Sequence, residues 1–254
     1  MRIVADENIP LLQPFFGSMG SVLALPGREI RNEHLREADL LLVRSVTCVD
    51  RALLEGTPVR FVATATIGSD HVDVEALREQ GIGFCSAPGC NAQSVVEYML
   101  STLSVLAEKK GFRLDEISVG IIGRGEIGGR LERVLRGLGA VVKCNDPPRE
   151  EAGETDLFPL SQVLQCDVVT LHVPLVRGGR HPTENLVDAR VLAGLEGHQI
   201  LINTSRGRVI DEAALKERLR QGDGFAAVLD VWRGEPAIDA ELAGLCELAT
   251  PHIA

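Results

Sequence analysis

Paired cysteine motifs, basic runs and long apolar stretches are all missing from this 254-residue chain. Its six cysteines, Cys48, Cys85, Cys90, Cys144, Cys166 and Cys246, fall without a C-x-x-C spacing. That argues against zinc or a disulfide scaffold and for reduced thiols in mostly structural positions, Cys90 beside an expected helix start included. With 26 Lys and Arg against 36 Asp and Glu, the formal charge is −10. Such a field repels nucleic acid and anionic membrane surfaces. No run approaches the ~20 apolar residues of a membrane span. The first residues, Met1-Arg2-Ile3-Val4-Ala5-Asp6-Glu7, carry acids where a signal peptide needs an apolar core, so a cytoplasmic protein is expected. There is no short-period repeat and no low-complexity tract.

What is present is enough apolar side chain, 45% of residues, to fill one large or two modest cores. Short apolar segments alternate with helical patterns from end to end, as in parallel βαβ units covered on both faces. One series places strands at Arg2 to Ala5, Leu40 to Val43, Arg60 to Ala63 and Ile82 to Cys85, with a helix over Val72 to Gln80. A second begins at Ser118 and continues near Val141 to Cys144, Val168 to His172, Gln199 to Ile202 and Ala226 to Leu229. Between them, Val95, Val96, Met99, Leu100, Leu103 and Leu106 lie at helical spacing within Asn91 to Lys110. The organisation expected is an α/β protein of two doubly wound parallel-sheet domains: a substrate domain over 1–90, an interdomain helix over 91–110 and a Rossmann dinucleotide domain over 111–254.

The sharpest signal is Gly123-Arg124-Gly125-Glu126-Ile127-Gly128, which follows the apolar run Ser118 to Ile122 and opens a helical pattern. In a G-x-G-x-x-G turn the first glycine permits the bend, the second lets backbone approach a pyrophosphate, and the third lets the helix pack on the strand. The free N–H groups of the helix start then face the anion. The next apolar run ends in Asn145 and Asp146, so an acid stands 18 residues past Gly128, where a ribose hydroxyl is met. NAD is therefore favoured over NADP. Arg124, bulky for such a turn, either lies along the pyrophosphate or points to solvent.

Ligands of open parallel sheets sit past the carboxyl ends of the strands. There the chain places Arg206, Glu235 and His252, in that order. Oxidising a 2-hydroxy acid needs a base for the hydroxyl proton, which a carboxylate-held histidine supplies near neutrality. It also needs a cation for the substrate carboxylate and carbonyl oxygen, a planar fork that arginine offers. Each of the three has an ordinary surface role when taken singly, and the ordered set behind a dinucleotide turn favours chemistry. Asp230 stands where it can accept from a nicotinamide carboxamide, and Arg44, just past a strand of the first series, is either a surface arginine or a contact to the substrate acid. Asp70-His71-Val72-Asp73 resembles a metal set at a glance, but a helix cap is the better reading and no metal is expected.

With these residues in hand, the chain resembles the NAD-dependent D-2-hydroxyacid dehydrogenase family from Met1 to Ala254. The strings Asp6-Glu7-Asn8-Ile9-Pro10, Val43-Arg44-Ser45-Val46-Thr47, Thr64-Ala65-Thr66-Ile67-Gly68-Ser69-Asp70-His71, Ala87-Pro88-Gly89-Cys90-Asn91-Ala92 and Asp146-Pro147-Pro148-Arg149 are similar to the members that oxidise 4-phospho-D-erythronate in vitamin B6 synthesis. The resemblance implies a flavodoxin-like substrate domain, a Rossmann domain and a cleft between them. It implies substrate contacts from Ser45 and Thr66, with a 4-phosphate as the group an Arg44 contact would meet, catalysis by Arg206, Glu235 and His252, and NAD contacts from Gly123, Gly125, Glu126, Ile127, Gly128, Asp146, Val173, Thr204 and Asp230. Val173 stands where the family carries threonine, leaving only a backbone contact there. The family's C-terminal dimerisation region, which makes a homodimer, is not in this chain, and the segment around His252 is expected to fray. Alternatives are a 3-phosphoglycerate- or glyoxylate-type dehydrogenase, or an NAD(H)-sensing corepressor of the same fold.

Overall fold

Valine, isoleucine and leucine runs bounded by Gly, Pro, Asn and Asp become strands buried on both faces wherever helices cover the two sides of a parallel sheet. The computed structural model describes residues 1–254 and divides them into two units, Met1–Asn91 and Ala92–Ala254.

The first unit holds β1 (Arg2–Asp6), β2 (Ser21–Leu25), β3 (Leu40–Val43), β4 (Phe61–Thr64) and β5 (Gly83–Cys85), with α1 (Leu12–Phe16), α2 (Arg51–Leu54) and α3 (Val74–Glu79). All pairings are parallel, and the strand order is β2-β1-β3-β4-β5. This is the flavodoxin-like order, with its switch point between β1 and β3. The strands read from the sequence omit β2, an edge strand whose short apolar run, Val22 to Leu25, stays largely exposed. Asp73 accepts from the Ala76 N–H at 2.9 Å and caps α3, a structural role within the string that resembles a metal set.

The second unit begins with α4 (Ala92–Lys110), whose Val96, Met99, Leu103 and Leu106 enter the core. Its sheet contains β6 (Ser118–Ile122), β7 (Val141–Asn145), β8 (Val168–Leu171), β9 (Ile200–Asn203), β10 (Ala226–Leu229) and the two-residue β11 (Leu248–Ala249), in the order β7-β6-β8-β9-β10-β11. Helices α5 (Glu126–Gly137), α6 (Pro147–Glu151), α7 (Leu160–Val163), α8 (Ala189–Ala193), α9 (Glu212–Arg220) and α10 (Ala240–Leu245) complete it. One core layer sets α4 and α5 against the strands, and a second layer packs Leu192, Leu215, Leu219 and Trp232 on the opposite face. The switch point lies between β6 and β8, so the loops after these strands diverge and leave a crevice at their carboxyl ends. No helix is long and apolar enough to cross a membrane.

The cysteines divide evenly. Cys144 and Cys166 are buried and Cys246 half-buried, whereas Cys48, Cys85 and Cys90 are exposed. The expectation of mostly structural thiols therefore fails for Cys48, which follows the loop after β3, and for Cys85 and Cys90, which lie at and beyond the end of β5.

Close approach of α5 to the turn before it holds this unit's crevice in shape. A Cβ at Gly128 would fall 1.9 Å from the Gly123 carbonyl oxygen. Gly128→Ala is expected to push α5 off the strand and cost about 1–3 kcal/mol, the scale of overpacking a well-filled core. Urea unfolding of the two proteins checks this, and equal midpoints would refute it.

Candidate active site

The turn after β6 is shaped by its glycines. Gly123 has φ +96°, a left-handed conformation open to glycine, and its N–H donates to the Asn145 carbonyl at 2.8 Å. At Gly125 a Cβ would meet no atom within 4 Å. Space is therefore kept clear in front of the first turn of α5, where unpaired N–H groups and the helix dipole favour an anion. An open cleft of about 520 Å³ adjoins it, lined by Gly125, Glu126, Gly129, Arg130 and Arg133 among others. Those features fit a dinucleotide pyrophosphate. Glu126 is exposed and pairs with Arg130, while Ile127 is half-buried.

Asp146, at the end of β7, accepts from the Arg124 N–H at 2.8 Å through Oδ2 and from the Arg149 N–H at 3.2 Å through Oδ1. Both are backbone donors, and a carboxylate has lone pairs left for a ribose. Arg124 lines the open cleft, and its side chain is tied down rather than turned to solvent. Its guanidinium makes a two-pronged pair with Glu132 of α5, Nε–Oε2 2.7 Å and Nη2–Oε1 3.2 Å. Buried Glu132 draws it back over the helix, and this pairing raises the Arg124 pKa further.

Past β8, His172 is buried between Thr170, 3.0 Å from Nε2, and Thr204, 3.4 Å from Nδ1. Burial pushes its pKa down to about 4, so the ring is neutral at physiological pH. Its carbonyl and the Val173 side chain lie under Gly123, where a Cβ would meet them at 2.5 and 2.9 Å. Val173 thus borders the turn, whereas the Thr204 hydroxyl is turned inward to His172.

Arg206, Glu235 and His252 come from the loops after β9, β10 and β11. Asn203 shapes the first loop: its amide donates to the Arg206 carbonyl at 3.0 Å, and its oxygen accepts from the Ser205 N–H and hydroxyl. Glu235 turns back on its own loop, with Oε1 accepting from the Trp232 N–H at 2.8 Å and Oε2 standing 2.8 Å from His252 Nδ1. Because a carboxylate only accepts, Nδ1 carries the hydrogen and Nε2 is the nitrogen left to exchange a proton. Hydrogen bonding to Glu235 raises the His252 pKa against burial; the Glu235 and Asp230 charges add to the rise and Arg206 opposes it. Burial pushes the Glu235 carboxyl up, but His252, Trp232 and the Arg206 charge together hold it below its usual range. The Arg206 charge is thus felt at both members of the pair.

Asp230 has partners of its own within the chain. It is fully buried, and its oxygens accept from the Thr250 hydroxyl at 2.6 Å, the Ile253 N–H at 2.8 Å and the Ala254 N–H at 3.0 Å. Its carbonyl takes the His252 N–H at 2.8 Å. The segment expected to fray is instead hydrogen-bonded residue by residue to β10 and its carboxylate. The sequence does not single out Thr250, Trp232 or Tyr98 as part of this arrangement. Their one signal is position, a threonine two residues before His252 and a lone tyrosine within an otherwise apolar helix stripe.

In the first unit, Arg44 and Ser45 lie in the turn after β3, with Arg44 half-buried and Ser45 exposed. Thr66, after β4, donates to the Gly68 carbonyl at 2.9 Å and sits 2.7 Å from Thr64, whose hydroxyl is 3.0 Å from His71 Nε2. These three residues occupy loops at the carboxyl ends of neighbouring strands.

Residues 98–254 match the NAD binding domain of the D-isomer specific 2-hydroxyacid dehydrogenases. A protein of Hahella chejuensis named erythronate-4-phosphate dehydrogenase is 65% identical over 254 residues, all of this chain and 67% of the relative. One of the same name from Marinobacter nauticus is 55% identical over 258 residues with the same coverage. The chain thus spans about two thirds of the length of these relatives. Among solved structures, NAD⁺-bound 3-phosphoglycerate dehydrogenase of Entamoeba histolytica superposes with a TM-score of 0.82 at 25% identity, covering 99% of this chain and 86% of that one. D-lactate dehydrogenase of Aquifex aeolicus, complexed with NAD and lactic acid, gives 0.79 at 22% identity, covering 99% and 88%.

Replacing Glu235 by Gln removes the charge that favours imidazolium and leaves only a neutral amide oxygen to accept from Nδ1, so the His252 pKa should fall toward its ordinary value near 6.5. An imidazole titration by NMR reads this directly, and an unmoved His252 resonance would break the pairing.

Proposed function

The chain belongs to the D-isomer specific 2-hydroxyacid dehydrogenase family, and on that premise we propose that it oxidises 4-phospho-D-erythronate to 2-oxo-3-hydroxy-4-phosphobutanoate with NAD, in the supply of pyridoxal 5′-phosphate. The observation that carries the reaction class is the 2.8 Å contact between Glu235 and His252 Nδ1. It presents Nε2 as the atom that takes the 2-hydroxyl proton, and Glu235 stabilises the imidazolium that results. Arg206 holds the substrate carboxylate and the oxygen that becomes a carbonyl. NAD, when bound, accepts the hydride from C2, so the reaction yields the 2-oxo acid, NADH and one proton.

The residues that hold NAD in this reading are Gly123, Gly125, Glu126, Ile127 and Gly128, with Asp146 for the ribose and Val173 and Thr204 at the switch point. Asp230 serves the site by fastening the segment that carries His252. Residues 1–90 are the substrate domain, in which Ser45 and Thr66 receive the erythronate chain and Arg44 its 4-phosphate. For Thr66 this requires its hydroxyl hydrogen to leave the Gly68 carbonyl for the substrate. Support for the substrate comes from the 65% identity over the whole chain, which covers these loops. The reading carries with it a cytoplasmic homodimer.

A panel of 4-phospho-D-erythronate, unphosphorylated erythronate, 3-phosphoglycerate and glyoxylate, followed by NADH absorbance, tests the substrate. Preference for one of the last two would replace it, and NADH-dependent capture of a protein partner without turnover of any acid would replace the enzyme reading. Arg206→Ala and His252→Ala should each lower kcat/KM by about 10²- to 10⁴-fold, with NAD affinity by calorimetry unchanged. Arg44→Ala should erase most of the preference for the phosphorylated acid, and an unchanged ratio would remove Arg44 from the site. Asp146 repels a 2′-phosphate, so NADP should bind much more weakly than NAD, and equal affinities would contradict that role.

A further inference from the structure

We propose that Tyr98 is a positioning residue for His252, acting through Thr250 and Asp230 by a directed chain of hydrogen bonds. The direction follows from counting hydrogens. Asp230 accepts from three donors, so in its 2.6 Å contact with Thr250 Oγ1 the threonine supplies the hydrogen. A hydroxyl has only one hydrogen to give. The 2.6 Å contact between Tyr98 Oη and Thr250 Oγ1 therefore runs from the phenol to the threonine. The phenol must stay protonated to do this; burial, with the Asp230 charge, raises its pKa against the opposing pull of the Thr250 and Thr102 hydroxyls.

The chain links a rigid body to a short reactive segment. Tyr98 is carried on α4, which Val96, Met99, Leu103 and Leu106 fix in the core. The same helix reaches the strand before the segment through Lys109 and Lys110, which pair with Glu247 at 3.1 and 3.6 Å. Thr250 receives Tyr98 on its hydroxyl and Trp232 Nε1 on its carbonyl, at 2.9 Å, and gives its hydrogen to Asp230. Asp230 then holds the N–H groups of Ile253 and Ala254 through its carboxylate and that of His252 through its carbonyl. Removing the phenol hydroxyl leaves the ring packed but takes one fixed donor from the hydroxyl that aligns with Asp230. The segment then relaxes, and the 2.8 Å contact of His252 with Glu235 lengthens in the average.

This inference rests on His252 as the proton carrier, and its test includes readouts that need no turnover. Tyr98 and Trp232 are the chain's only tyrosine and tryptophan, so Tyr98→Phe leaves a single emitter that touches Thr250. In that variant the His252 imidazole pKa, read by NMR, should move down toward its ordinary value, while the charged groups that face it, Glu235, Asp230 and Arg206, are unaltered. Trp232 emission should shift to the red, and kcat should fall about 3- to 10-fold, the scale of one hydrogen bond, with NAD affinity unchanged. Thr250→Val should reproduce these effects, Thr250→Ser should spare them, and adding Tyr98→Phe to Thr250→Val should change nothing more. Unmoved imidazole and emission signals, with or without a lower melting temperature, reduce Tyr98 to packing and overturn the proposal. So do additive effects of the two changes, or a loss of NAD affinity matching the loss in kcat. If the spectroscopic shifts appear while His252→Ala leaves turnover intact, the proton-carrier role of His252 falls and the positioning of the segment stands.

Discussion

Asp230 is an acid at the end of a buried strand, and a carboxylate removed from water is tolerated only where donors surround it. It finds them all in one place: the Thr250 hydroxyl and the Ile253 and Ala254 N–H groups. The geometry around His252 follows from that need. Satisfying the carboxylate folds the chain after β11 back across the end of β10, and the side chain between the bonded residues is delivered to Glu235. His252 itself has φ +59°, a left-handed conformation that costs a non-glycine residue on the order of 1–2 kcal/mol. Such a conformation persists only where neighbouring bonds over-determine it, and here three lie within the segment, from His252, Ile253 and Ala254 to one residue.

The glycine turn is organised by a comparable economy of backbone groups. Asp146 accepts the Arg124 N–H and caps α6 through the Arg149 N–H, so the acid that ends β7 also fixes the loop that ends β6. The Arg124 side chain, pulled onto Glu132, leaves the space before α5 clear. A long cation in the middle of an anion-binding turn is thereby kept from filling the site it borders.

Much of the fold is legible in the sequence because its signals are local: glycine spacing, apolar runs of strand length, and the helical period of α4. The edge strand β2 escapes although Val22 to Leu25 form an apolar run, because four residues between a glycine and a proline do not separate a strand from a loop. The candidate site is legible as far as residue type and order go, since Arg206, Glu235 and His252 each follow an apolar run. What cannot be read is where a side chain spends its hydrogen bonds. Asp230 is read from its place at a strand end as a cofactor acceptor, and nothing local in the sequence tells that its oxygens also hold residues twenty or more positions later. Arg124 is read as lying along the pyrophosphate or pointing to solvent, yet a buried acid eight residues on claims it. Tyr98 disappears into the apolar stripe of its helix because its one functional atom is the hydroxyl, whose partner is 152 residues away.

Trp232 explains why the Glu235–His252 pair behaves as a unit. Its backbone N–H holds one oxygen of Glu235, and its indole N–H holds the carbonyl of Thr250. The ring closes through His252, whose Nδ1 meets the other oxygen of Glu235. The acid and the base of the pair are therefore both gripped by one buried residue, and neither can drift without straining a bond to the other. The charges around this ring oppose one another: Glu235 and Asp230 favour imidazolium, while burial and Arg206 disfavour it. A substrate carboxylate seated on Arg206 would cancel part of the disfavouring side just when His252 has to accept a proton. In the proposed roles, the arginine that orients the acid would thus also strengthen the base when substrate is bound, a coupling that depends on the short separations the ring enforces.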